Sequence, residues 1–170
     1  SKRQNDFISL LDEINRKKGD KISIETTLDF CLGSLIDLLG AERSSLMRYD
    51  DHSKELKVFA AKGYKVYPIS GLGIRWGEGI AGLSLKESKI ISITKMKDTN
   101  RKDLLSRARE GKEAPETKVK SLLCLPLFDA DRPLGVVNIS TINFHKNFEK
   151  TEIEMAHEVV NRMAGIVKNL

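Results

Sequence analysis

Cysteine is scarce in this chain: 170 residues carry two, Cys31 and Cys124, far apart and each inside an apolar pattern. That argues against a disulfide framework and for buried free thiols in a reducing compartment. Histidine is almost as thin. His52, His145 and His157 fall in a turn, a loop and the polar side of a helix, with no metal-ligand spacing among them. No apolar run approaches the roughly 20 residues of a membrane span, and no signal-peptide pattern opens the chain. The expectation is a cytoplasmic protein with no membrane insertion in this stretch. A P-loop glycine signature is missing, and nothing places Ser, His and Asp together, so an enzyme is not expected. Charge imbalance is small as well. The net charge is +5, and residues 95–120 hold nine Lys/Arg against five Asp/Glu. That is a local basic segment, not a footprint for nucleic acid, and no direct nucleic-acid partner is expected. The chain opens on Ser1 without a methionine, which suggests a piece of a longer protein.

What is present is an ordinary globular composition, 40% hydrophobic and 31% charged, in a length suited to one domain. The organising stretch is 119–140: VKSLLCLPLF, the turn DADRP, then LGVVNIS. Neither apolar run alternates with polar residues, so the pattern predicts a β-hairpin covered on both faces. Pro126 marks an edge position or a bulge, and Gly135 a close backbone approach. Before the hairpin, apolar spacing predicts helices from about Asn5 to Lys18 and from an N-cap at Ser23 to a stop at Gly40. Strands follow over 42–50 and 56–61. The passage GIRWGEGIAGLSLKES reads as a short strand, a glycine turn and a helix over 79–86, and 90–93 reads as a further strand. Residues 100–109 carry a weak helical pattern and 111–117 a loop composition.

A final helix starts near Glu149. Ile153, Ala156, Val160, Met163, Val167 and Leu170 form a heptad seam, with Met155, Val159 and Ile166 as a second stripe. The apolar arc is wider than one sheet face needs. Either the helix is wedged between sheet and first helix, or one stripe faces a second protomer.

This order of elements resembles the GAF domain family. The motifs that carry the resemblance are AERSSLMRYD, GEGIAG, SLLCLPL with its proline, LGVVNIS and FEKTEIE, in the family's order over about 41–155. The resemblance implies an α+β fold: a six-stranded antiparallel sheet with N- and C-terminal helices on one face and a ligand pocket under a variable lid on the other. A single domain over 1–170 then divides into N-terminal helices (1–40), sheet and lid (41–147) and a C-terminal signalling helix (148–170).

For the pocket, Gly77 and Gly79 could bring backbone N–H groups to a ligand at a helix start, or simply make a tight turn. Trp76 could stack on a planar ligand or plug the pocket. Ser45, Met47 and Tyr49 share one strand face, and by resemblance the Ser45 side is the ligand side. Ser121 and Leu123 share a face on the hairpin. The expected lining is Ser45, Met47, Trp76, Gly77, Glu78, Gly79, Ile80, Ser121 and Leu123, with Lys95, Lys97, Arg101 and Lys102 on the lid over 95–118. Members that bind cyclic nucleotides carry an Asn-Lys pair after the last strand, then a Phe and an Asp-Glu pair. Here Thr141 and Ile142 stand at the first pair, Phe148 survives, and Glu152 and Ile153 stand at the last, so cyclic nucleotide is not implied. Relatives that hold a bilin use a lid cysteine that this chain lacks. Those that reduce free methionine sulfoxide use a group of lid and strand cysteines that Cys31 on a helix and Cys124 in a buried strand cannot supply, and no cofactor is identified. The resemblance implies a small-molecule-sensing regulatory domain of a bacterial signalling protein, forming a homodimer through its terminal helices. Its output domain would be a histidine kinase, a cyclic-dinucleotide enzyme or a transcription-activating ATPase. The alternative is a ligand-free scaffold that serves dimerisation only.

Overall fold

A computed structural model describes residues 2–19, 22–65, 73–97 and 119–170. Two helices open it, α1 (Lys2–Gly19) and α2 (Ile24–Leu39), followed by β1 (Arg43–Asp50), β2 (Glu55–Lys62) and β3 (Ile74–Arg75). Then come α3 (Gly79–Glu87), β4 (Ile91–Ile93), β5 (Ser121–Asp129), β6 (Arg132–Thr141) and α4 (Lys150–Val167). The expected weak helix over 100–109, the loop over 111–117, and Arg101 and Lys102 lie outside the described residues.

Local signals set the boundaries. The Ser23 side chain accepts from the Thr26 N–H at 3.1 Å, and Gly40 ends α2 in the left-handed region at φ 62°, as an N-cap serine and a C-terminal glycine dictate. Six strands form one antiparallel sheet in the order β3-β2-β1-β6-β5-β4. The long hairpin β5–β6 sits in it with both faces covered. Its turn is tighter than the five residues expected. Asp129 pairs with Arg132, and Ala130 takes φ 53°, the twist a two-residue hairpin requires. Pro126 is tolerated because β4 pairs only with Leu122, Leu123 and Cys124, leaving β5 an edge strand beyond that point. At Gly135 a Cβ would collide with the Met47 carbonyl oxygen of β1. Glycine is therefore required where β6 crosses closest to its neighbour.

One face of the sheet carries Leu46, Leu123, Leu125, Val137 and Ile139 into a core shared with α2 and α4. The other carries Met47, Leu56, Leu122, Cys124 and Val136 against α3. The wide apolar arc of α4 is used within the chain: Val159, Val160 and Met163 are fully buried, and Ile166 is 7% exposed. The helix is wedged between sheet and α2, with α1 alongside, so the second stripe is not held free for a partner protomer. Only Met155 on that stripe stays half-buried.

Where α4 begins, Glu149 and Glu152 form a capping box. Glu152 does more than cap. Its side chain is 4% exposed and its Oε2 meets both Arg3 of α1 and Lys146, each at 2.9 Å. Burial alone would raise its carboxyl pKa, but the Glu149 N–H, Lys146 and Arg3 together hold it below the ordinary value.

Candidate functional site

On the α3 face of the sheet, strand pairing lays a polar row across three strands. Ser45 pairs with Asn138, and Asn138 with Cys124. The Cys124 thiol donates to Asn138 Oδ1 at 2.9 Å, and Asn138 Nδ2 donates to Ser45 Oγ at 3.4 Å. Ser140, two residues along β6, presents its hydroxyl on the same face.

Above this row lies a cavity of about 40 Å³, lined by Ser45, Asn138 and Ser140 among the apolar side chains of Met47, Val58, Ile74, Ile80, Ala81, Val119 and Leu122, with Tyr64 beside them. That exceeds the roughly 10–15 Å³ a cavity needs to hold one water. No described lining residue carries a charged side chain. Arg43 lies 4.7 Å from the Tyr64 ring centroid, a cation–π contact that fixes the ring. Met96, 4% exposed, packs into the same core, while Lys95 and Lys97 on either side of it are exposed.

Of the expected lining, Ser45, Met47 and Ile80 meet at this cavity, and the others are placed elsewhere. Leu123 is fully buried on the opposite face, in the core under α2 and α4. The pocket-side residue is its neighbour Leu122. Ser121 shares the face of Leu123, and its hydroxyl is spent: it donates to the Thr94 carbonyl at 2.5 Å and accepts the Lys146 N–H at 2.7 Å. Trp76 neither plugs nor lines the cavity. It is 37% exposed, its N–H bonds the Lys54 carbonyl, and its ring lies 5.3 Å from that of Tyr49. Gly77 and Gly79 have φ of 79° and 64°, so the residue type is required by the turn. The Gly77 N–H bonds the Gly82 carbonyl and the Glu78 N–H the Arg75 carbonyl. Those donors close the turn and are not offered to a ligand. Val58, Ala81, Asn138 and Ser140 were not expected at the site.

A larger cleft of about 660 Å³ opens at the far end of the sheet, around Arg48, Lys57, Arg132 and Leu170. Its cations are offset by Asp50 and Asp51 in the same lining, and Arg132 is engaged with Asp129 and the Lys168 carbonyl. It selects no ligand as clearly as the small cavity does. Among the described residues no group of three or more His, Cys, Asp or Glu is placed to hold a metal ion. No helix among them is long and apolar enough to cross a membrane. Both thiols are free and buried. Burial pushes Cys31 up to about 12, against a small opposing effect of Lys18, and raises Cys124 further still.

The sequence matches the GAF domain model over residues 21–168. This chain belongs to the GAF domain family. Comparison with curated proteins finds no match. Solved structures share the fold. The GAF domain of a phosphoenolpyruvate-protein phosphotransferase from Coxiella burnetii superposes with a TM-score of 0.78 at 21% identity, covering 99% of this chain and 96% of that one. The corresponding domain from Acinetobacter gives 0.76 at 17%, covering 99% and 95%. The free methionine-R-sulfoxide reductase of Neisseria meningitidis gives 0.72 at 17%, covering 95% and 88%. At these identities the likeness is one of fold. The GAF fold here keeps a small cavity on the face of the sheet away from the terminal helices.

Proposed function

We propose that this GAF domain is the ligand-sensing regulatory module of a cytoplasmic bacterial signal-transduction protein, and not an enzyme. The observation that carries the reading is the small cavity with a polar floor between β1, β6 and α3. A ligand there presses on Leu122, whose neighbour Ser121 holds Thr94 on one side and Lys146 on the other. Lys146 in turn holds Glu152 at the start of α4, and Glu152 holds Arg3 of α1. Occupancy of one face is thereby coupled to the terminal helices on the other. A homodimer through those helices would use α1, whose Ile8 is 57% exposed, to pass the change to an output domain. That domain would be a histidine kinase, a cyclic-dinucleotide enzyme or a transcription-activating ATPase. Two buried thiols with raised pKa values argue against redox catalysis.

The second reading, a ligand-free dimerisation scaffold, is favoured by the small volume: Met47, Ile80 and Leu122 already fill most of the space a ligand would need. Native mass spectrometry of freshly purified protein, followed by a thermal-shift screen of metabolites, separates the two. Sensing predicts a retained or stabilising compound whose effect is lost in Ala81→Leu, which fills the cavity from α3. A thorough screen with no stabilising compound would leave the scaffold.

A further inference from the structure

We infer that the pocket floor selects an uncharged hydrogen-bonding group, a primary carboxamide or hydroxyl on a small apolar body, over an anion. This rests on the sensing reading above and names its ligand class. Ser140 is 3% exposed, and its hydroxyl makes no hydrogen bond among the described residues although it lines the cavity. That hydroxyl faces the cavity, where a ligand atom or water can partner it. Ser45, 5% exposed, accepts from Asn138, and its own proton is given to no described acceptor. Asn138 is already committed at both ends, to Cys124 and to Ser45. The floor therefore offers two hydroxyls, each able to donate and to accept. A carboxamide uses both capacities, its oxygen accepting one O–H and its N–H groups donating to the other oxygen.

Among the described residues the floor offers an anion no counter-charge. No described lining side chain is charged, Lys95 and Lys97 are exposed and outside the lining, and the N–H groups of Gly77 and Glu78 are consumed by their own turn. A carboxylate brought among Met47, Ile80 and Leu122 would lose its hydration without gaining a counter-charge from any described lining side chain. The volume, about 40 Å³, fits a group of a few heavy atoms.

Acetamide and acetate share one shape and differ in charge, so the pair tests the inference on the whole chain. Methyl NMR would follow Met47 and Ile80 during titration with each. The expected result is a saturable shift with acetamide, at least about tenfold tighter than any with acetate, and weakened several-fold in Ser140→Ala. Ser45→Ala serves as a second variant should the first fail to fold. Acetate binding as tightly as acetamide, or no shift of either methyl with acetamide, overturns the assignment. An anionic hit from the metabolite screen that moves the same methyls would also overturn it, while leaving the sensing reading intact.

Discussion

Replacing Glu152 is the most demanding test of how this domain is held together. The carboxylate accepts from the Glu149 N–H, Arg3 and Lys146, each at 2.9 Å. Loss of the helix cap costs about 1 kcal/mol. Lys146 is only 25% exposed, so its charge-assisted bond contributes about 1.5 kcal/mol. Arg3 is 45% exposed and reaches water once released, which limits its share to about 0.5 kcal/mol. Glu152→Ala should therefore lose about 3 kcal/mol. Glu152→Gln keeps the shape and an acceptor and should lose about half of that. Urea unfolding read at Trp76 measures both, and with a slope of about 2 kcal/mol per molar the alanine midpoint should fall by about 1.5 M. The pH dependence follows from the lowered carboxyl pKa. Between the folded value and the ordinary one, near 4.5, the unfolded chain binds more protons than the folded chain, so stability rises with pH there. The advantage of wild type over Glu152→Gln should be complete at neutral pH and fade as pH falls through the folded pKa. A loss under 0.5 kcal/mol for the alanine variant, or a difference that does not change with acidification, would refute the reasoning.

Gly135→Ala should destabilise by about 3 kcal/mol or more, because a Cβ meets the Met47 carbonyl and not a yielding side chain; thermal melting would check it, and a loss under 1 kcal/mol would mean the two strands can part there. Cys31 and Cys124 are both fully buried, so iodoacetamide should label them at least about a thousandfold more slowly in native protein than in urea. Rapid native labelling of Cys124 alone would mean that the α3 face opens far more easily than its packing implies.

How much the sequence disclosed depended on how local each signal was. The Ser23 cap, the Gly40 stop and the Gly135 approach are each fixed by one residue type at one backbone position, and each is found in the structure. The covering of β5–β6 on both faces followed from unbroken apolar runs. The same runs concealed the face. In SLLCLPL every position is apolar, so alternation has no phase, and an error of one residue exchanges the two sides of a strand. That is why Leu123 was expected where Leu122 stands. Trp76 was misplaced for a related reason: its orientation depends on β3, two residues long, pairing with Glu55 and Leu56. Glu152 stands in the FEKTEIE motif and departs from the cyclic-nucleotide pattern, yet Glu149 and Glu152, three apart before an apolar run, are themselves a capping signal.

The floor of the cavity did leave a trace that could have set the phase. Within LGVVNIS, Asn138 and Ser140 are polar, two residues apart, while Gly135, Val137 and Ile139 on the other face are not. Polar side chains buried at period two must share one face and must find partners there. Ser45 and Cys124 are the neighbours in register on either side, so one polar row fixes which face of three strands looks away from the terminal helices. Applied to β5, that row assigns Cys124, and with it Leu122, to the pocket side, and sends Leu123 to the core beneath α2 and α4.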